Sequence, residues 1–201
     1  MLLKDYPKVF EIRVGVKVVL KPMTLEDAKP LSDFFKSLPE EDRLFLKDDV
    51  TKKEVIDSWV KNLNYDRVLP MLAWIGDEVA GDATLHRNEH GWMKHIGEIR
   101  IVTDSRYRKT GLSLLLAREI FFLAVQSRLE KIVAEMTLDQ KSAIRIFEKL
   151  GFKQEAVFKN HVLDLKGRKR DLLVMSKDLA ELWQEIQESE FFSFPTYPME
   201  G

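Results

Sequence analysis

The chain has 201 residues, 45% of them hydrophobic and 32% charged, which suits one α/β domain able to bury its own core. A formal net charge of −1 gives no global attraction to nucleic acid or an anionic membrane. The lack of any cysteine excludes disulfides, cysteine metal sites and an acyl-cysteine intermediate, and suits a reducing compartment.

The N-terminus, Met-Leu-Leu-Lys-Asp-Tyr-Pro, has no long apolar core or small-residue cleavage site, so no signal peptide is expected. Phe10, Ile12, Val14, Val16, Val18 and Leu20 alternate with mostly polar neighbours, which predicts a strand, broken or turned near Gly15. Pro22 ends it. Thr24 reads as a helix N-cap with Glu26 and Asp27 in the first turn, ahead of a helix through Phe34 and Phe35. After Pro39 a second helical stretch runs from about Lys52 to Asn62. Val68 to Ile75 and Val79 to Leu85 read as strands joined at Gly76-Asp77-Glu78, and Ile96 to Val102 is the next strand. Leu112 to Ser127 is a nearly apolar, buried helix whose run Ile120 to Val125 is far too short to span a membrane. Lys131 to Met136 is a strand. Ala143, Ile146, Phe147 and Leu150 then recur at helical spacing, with Gly151 as the stop and Phe152 packing back. Strands 153–165 and 169–176 pair across Lys166-Gly167. Leu179, Leu182, Trp183 and Ile186 mark a last helix before the aromatic tail Phe191 to Gly201, which is open between covering a site, a homodimer contact and disorder. This order of elements predicts a mixed α/β sheet with helices on its faces.

The chemistry concentrates after the strand Ile96 to Val102. There Asp104-Ser-Arg-Tyr-Arg-Lys-Thr-Gly-Leu-Ser forms a basic turn that opens a helix. The first amides of a helix lack internal partners and lie at the positive end of its dipole, a fit for a diphosphate. Gly111 allows close backbone approach, Ser113 adds a hydroxyl, and Arg106, Arg108 and Lys109 add cationic charge.

Arg108-Lys-Thr-Gly111-Leu-Ser113 resembles the Gln/Arg-x-x-Gly-x-Gly/Ala signature of the GNAT superfamily of acyl-CoA N-acyltransferases, with Ser at the last position. Three further stretches resemble the same family in the expected order: Gly15 to Ala28, Ala143 to Phe152, and Asp171 to Leu179. Residues 9–49 are also similar to bacterial protein-lysine acetyltransferase domains. The resemblance covers about 9–180 as one acetyltransferase domain, leaving 181–201 as helix end and tail. It implies a mixed, mostly antiparallel seven-stranded sheet, splayed between its fourth and fifth strands, with helices on both faces. In that gap the pantetheine arm of acetyl-CoA would bond main-chain atoms of Ile101, Val102 and Thr103. The pyrophosphate would sit on the amides of Lys109, Thr110, Gly111, Leu112, Ser113 and Leu114. Gln140 and Ser142, at the start of the later helix, complete the implied cosubstrate site.

Acylation needs a neutral amine, although a lysine-like amine has a pKa of about 10.4. It also needs a stabilised or protonated thiolate. Glu98, ten residues before Arg108, matches the glutamate that many lysine acetyltransferases of the superfamily carry, and is the expected general base. Alternation puts Glu98, Arg100 and Val102 on one face, opposite Ile99 and Ile101, and an Arg100-paired surface carboxylate is the competing reading. Glu135 is a second candidate. The position matching the family's usual tyrosine acid is Phe147, and its usual asparagine is Gln140, so no general acid is assigned: Ser142, water and an unassisted thiolate stay open. The expected activity is transfer of an acetyl or related acyl group from acyl-CoA to an amine by direct attack in a ternary complex. A non-catalytic acyl-CoA-binding module is the alternative. The acceptor is open between a small molecule and a protein lysine or N-terminus. Nucleic acid and membrane are not expected partners, and a cytoplasmic location is expected.

The four histidines, at 86, 90, 95 and 161, show no metal-ligand spacing, so no metal is expected. Lys166, Arg168, Lys169 and Arg170 read as a solvated hairpin tip, and Trp92 as either a pocket wall or a core cap.

Overall fold

The alternating stretch around Gly15 forms a hairpin. In the computed structural model, which describes residues 3–180, β1 (Lys8–Ile12) and β2 (Val16–Pro22) pair antiparallel from Lys8↔Leu20 to Ile12↔Val16. Arg13–Gly15 makes the turn, with Gly15 at φ +71°, a conformation glycine takes without steric cost. The sheet therefore has eight strands rather than the expected seven, because the first strand folds back on itself.

The remaining strands are β3 (Val68–Ile75), β4 (Glu78–Arg87), β5 (Ile96–Thr103), β6 (Lys131–Thr137), β7 (Lys153–Leu163) and β8 (Lys169–Asp178). They stand in the order β1-β2-β3-β4-β5-β6-β8-β7. Every pairing is antiparallel except β5 with β6, and that one is short: it runs from Ile96↔Lys131 to Glu98↔Val133 and stops. From Ile99 to Thr103, β5 keeps β4 on one side and, among the described residues, has no strand on the other. The fork expected between the strands Ile96–Val102 and Lys131–Met136 is this divergence.

The helices are α1 (Ala28–Ser37), α2 (Glu40–Arg43), α3 (Lys53–Lys61), α4 (Leu112–Gln126) and α5 (Lys141–Lys149). Ahead of α1, the Asp27 carboxylate accepts from the Thr24 amide at 2.7 Å and its hydroxyl at 3.0 Å, so the expected N-terminus is a reciprocal cap. Strand alternation divides the core between the two faces. Leu72 and Val79 meet Leu31, Phe34 and Phe35 of α1 and Ile56 and Val60 of α3. On the other face Met71, Ala73, Ala83, Leu85 and Ile99 meet α4, whose Leu115, Leu116, Ile120 and Phe121 are at most 1% exposed. Burying one such large side chain contributes about 1.5–3 kcal/mol, so α4 is fixed firmly against the sheet and with it the turn at its start. Glu119, the buried carboxylate of α4, accepts from Lys8 Nζ at 2.6 Å and from the Tyr6 hydroxyl. Behind α5, Gly151 stops the helix at φ +82°, and the Phe152 ring meets Phe147 edge-on at 4.9 Å, as the spacing predicted. The expected last helix, from Leu182 on, and the aromatic tail fall on residues outside those described.

Candidate functional site

A turn that leaves helix amides free lies where β5 runs into α4. Asp104, 4% exposed, accepts from the Arg106 amide and Nε, both at 2.8 Å, and so folds the basic turn. The β1–β2 turn supports it from outside, since the Arg13 amide donates to Thr110 O at 3.1 Å. The backbone turns through positive φ at Lys109 (+64°) and again at Gly111 (+98°). No side chain caps α4, and the Leu115 amide is the one that reaches back to Gly111 O, at 2.9 Å. The amides of Leu112, Ser113 and Leu114 precede that first helical bond. A Cβ at Gly111 would meet nothing within 4 Å, so the space beside the turn at Gly111 is open. Thr103 Oγ and Ser113 Oγ lie 2.9 Å apart and pin the strand end to the first helical turn.

The three expected cations divide. Arg108 grips Asp42 with both oxygens, at 2.9 and 2.7 Å, and Arg106 joins Asp104 to Glu78, at 2.7 and 2.9 Å. Both therefore tie the turn to the rest of the fold. Lys109 is exposed and makes no ion pair among the described residues.

The second centre is at the fork, where β5 and β6 part. Glu98 is the last residue of β5 paired with β6, and Glu135 stands two residues past that pair on β6. Both carboxylates converge on one cation: Lys47 Nζ lies 2.5 Å from Glu98 Oε1 and 2.6 Å from Glu135 Oε2. Arg100 Nε adds a 3.0 Å bond to Glu98 Oε1, which is the Arg100 pairing anticipated from alternation. Burial raises the Glu98 pKa, but the hydrogen bonds from Lys47 and Arg100 outweigh it and hold the carboxyl below the usual range. Lys47 comes from the loop between α2 and α3, and no motif in the sequence points to it.

Glu98 and Arg100 share their face with Asp82, Thr84 and His86 of β4, through the pairs Asp82↔Val102, Thr84↔Arg100 and His86↔Glu98. Burial pushes the Asp82 carboxyl up to about 7, against the opposing pull of the Thr84 hydroxyl at 3.2 Å and the Arg100 charge. Burial and the Arg100 charge push the His86 imidazole down to about 4, so it is neutral near pH 7. Sequence reasoning missed this polar strip. Its signal was present, as polar residues at alternate positions of a strand otherwise rich in Val, Ala and Leu.

Gln140 faces inward: its Oε1 accepts from the Thr137 amide at 2.9 Å and closes the β6–α5 turn. Ser142 is exposed on the first turn of α5, and Phe147 is 7% exposed against Phe152. The basic hairpin tip is solvated, as expected, but it is also knotted around a buried acceptor. Asp164, with a fully buried side chain, accepts from the amides of Lys166 and Arg168 and from Nε of Arg168 and Arg170, all within 3.0 Å. Lys166 pairs with Glu40 of α2 at 2.6 Å. The Leu165 amide donates to Leu44 O at 3.3 Å, and Arg170 lies over the Phe45 ring. Trp92 is 91% exposed and walls nothing. Among the described residues no cluster of histidine and acidic side chains could hold a metal ion, and no helix is long and apolar enough to cross a membrane.

The geometry is thus an open strand edge with uncapped helix amides at one end and paired carboxylates at the other. A model of the Acetyltransferase (GNAT) family matches residues 32–152, which include both centres. Human N-alpha-acetyltransferase 30 is 31% identical over 85 residues, covering 42% of this chain and 24% of that protein. The L-amino acid N-acetyltransferase AaaT of Escherichia coli K12 is 27% identical over 94 residues, covering 46% of this chain and 58% of that one. The matched stretches therefore span about a quarter and somewhat over half of these relatives. The crystal structure of the GNAT domain of S. lividans PAT shares the fold, with a TM-score of 0.74 over 87% of this chain and 98% of that one at 15% identity. With the family match extending over more than half its length, the chain belongs to the GNAT family of acetyltransferases.

Proposed function

We propose that the chain, through its 9–180 domain, is an N-acetyltransferase that moves an acetyl or related acyl group from acyl-CoA to a primary amine by direct attack in a ternary complex. The observation that carries this reading is the placing of the open β5 edge between the α4 amides and Glu98. The amides of Leu112, Ser113 and Leu114 take the pyrophosphate, with the Lys109, Thr110 and Gly111 backbone around it and the exposed Lys109 ammonium adding charge. The unpaired edge of β5 at Ile101 to Thr103 offers main-chain donors and acceptors to the amides of the pantetheine arm, as another strand would. Ile99 to Thr103 spans about 13 Å at ~3.3 Å per residue, so an arm lying along it brings the thioester to the fork.

At the fork, Glu98 removes the proton that keeps the acceptor amine from attacking, and Glu135 draws the ammonium in. Phe147 supplies no proton, so the departing thiolate takes one from solvent or from Ser142. The names of two relatives, an N-alpha-acetyltransferase and an L-amino acid N-acetyltransferase, support an acceptor α-amine on a peptide or amino acid. The likeness of residues 9–49 to lysine acetyltransferase domains keeps lysine peptides among the acceptors. The test is CoA release across α-amines, lysine peptides and polyamines, with the wild type and Glu98→Gln. Turnover with at least one amine, cut about 10²–10⁴-fold in Glu98→Gln with acetyl-CoA binding retained, is expected. Tight acetyl-CoA binding with no turnover on any amine would instead make the chain a binding module.

A further inference from the structure

Lys47 stands where an acceptor amine belongs. Its Nζ touches both carboxylates at the fork, 51 and 88 residues away in sequence. The loop that carries it is anchored on both sides of the lysine. Val50 is 1% exposed in the α1–α3 core, Leu46 packs against the same core, and the β7–β8 hairpin holds Leu44 and Phe45. An isolated surface ion pair contributes only about 0–1 kcal/mol. Two carboxylates converging on one amine, from strands that part beside them, amount to a site for an ammonium group. That amine lies at the closed end of the free β5 edge.

We propose that Lys47 is an internal acetyl acceptor: loaded with acetyl-CoA and given no external amine, the protein acetylates its own Lys47. This rests on the acyltransferase reading above. The Lys47 ammonium gives one proton to Glu98, and the neutral Nζ attacks the thioester carbonyl carbon. The N–C bond forms and the C–S bond breaks. The second nitrogen proton ends on the sulfur as the free thiol, and Glu98 passes its proton to water. The product is an uncharged amide, so Glu98 and Glu135 both lose their cation. Glu98 then faces only the Arg100 charge and becomes a stronger base, and the two carboxylates, having lost their resident cation, attract an external ammonium. Self-acetylation is thus an activating step.

The test incubates the full chain with acetyl-CoA alone and follows intact mass and peptide maps over time. One acetyl group per chain is expected, at Lys47, formed at least roughly tenfold faster than at any other lysine because the amine is already positioned. It should be abolished in Lys47→Arg and strongly slowed in Glu98→Gln. CoA release to an external amine should show a lag that prior acetylation removes. Transfer to external amines with Lys47 unmodified would overturn the proposal and leave the transferase reading intact. Slow acetylation spread over many lysines, equal in the urea-unfolded chain, would also overturn it. No acetyl-CoA binding by calorimetry together with no transfer to any amine would remove the transferase reading itself.

Discussion

Replacing Asp82 with asparagine tests the electrostatics of the site face without touching the fork. Asp82 lies on β4 opposite Val102, four residues along β5 from Glu98, or about 13 Å. Burial raises its pKa from the ordinary 3.8 to about 7. A carboxyl whose folded pKa is raised stabilises the fold fully below about pH 4, and that stability is lost as pH rises through about 7. Three units at 1.36 kcal/mol each give a cost of about 4 kcal/mol above pH 8, of which about 2.5 kcal/mol develops between pH 5 and pH 8. His86, with its pKa near 4, stays neutral over this window and does not obscure the change. Asparagine keeps the shape and the contact with Thr84 but cannot ionise. Urea unfolding of both proteins at pH 5, 6, 7 and 8 should show Asp82→Asn gaining on the wild type by about 2.5 kcal/mol across the series, because every other titrating group cancels in the difference. Parallel stability profiles would refute the reasoning and place the Asp82 carboxylate in contact with water.

Gly97, beside Glu98, has no room for a methyl group: a Cβ there would lie 2.7 Å from Leu129 Cδ1 and 2.9 Å from Leu85 Cδ1. Gly97→Ala should cost about 1–3 kcal/mol by urea unfolding and lower turnover by shifting Glu98. An unchanged midpoint would mean that the two leucines yield freely. Asp164→Ala removes the acceptor of four bonds at the hairpin tip and leaves Arg168 without its carboxylate and Arg170 with Asp139 alone, so a loss of about 2–3 kcal/mol is expected. Hydrogen exchange should then quicken at Leu165 and around Leu44. Protection equal to wild type would show that the hairpin holds α2 without the knot.

Period-two alternation marked the first strands and β5, which have one face turned to a core, whereas β3, buried on both faces, and β7, largely exposed, were read from their apolar or β-branched runs and bounding turns. Alternation also placed Glu98, Arg100 and Val102 together. The turn into α4 was legible because its signals are local: Gly111 and the residues after it are contiguous. The hairpin at Gly15 was legible only as a break, since the choice between a bend and a reversal is made by Val18 and Leu20 burying against β3 and by Arg13 reaching Thr110. Lys47 could not be read at all. Its partners lie on two strands brought together by α4, and the loop around it carries no periodicity. The same limit explains the hairpin tip, where the basic run gives no sign of the buried Asp164 that it surrounds.

The central claim is that the turn from Asp104 into α4 holds acyl-CoA, and calorimetric titration of acetyl-CoA into the wild type and Gly111→Ala tests it most directly. At φ +98° an alanine is strained by about 1–2 kcal/mol, which disturbs the backbone just before the α4 amides. One-to-one binding by the wild type, weakened about tenfold or more in Gly111→Ala, is the result expected. No binding by the wild type, or binding indifferent to Gly111→Ala, would contradict it.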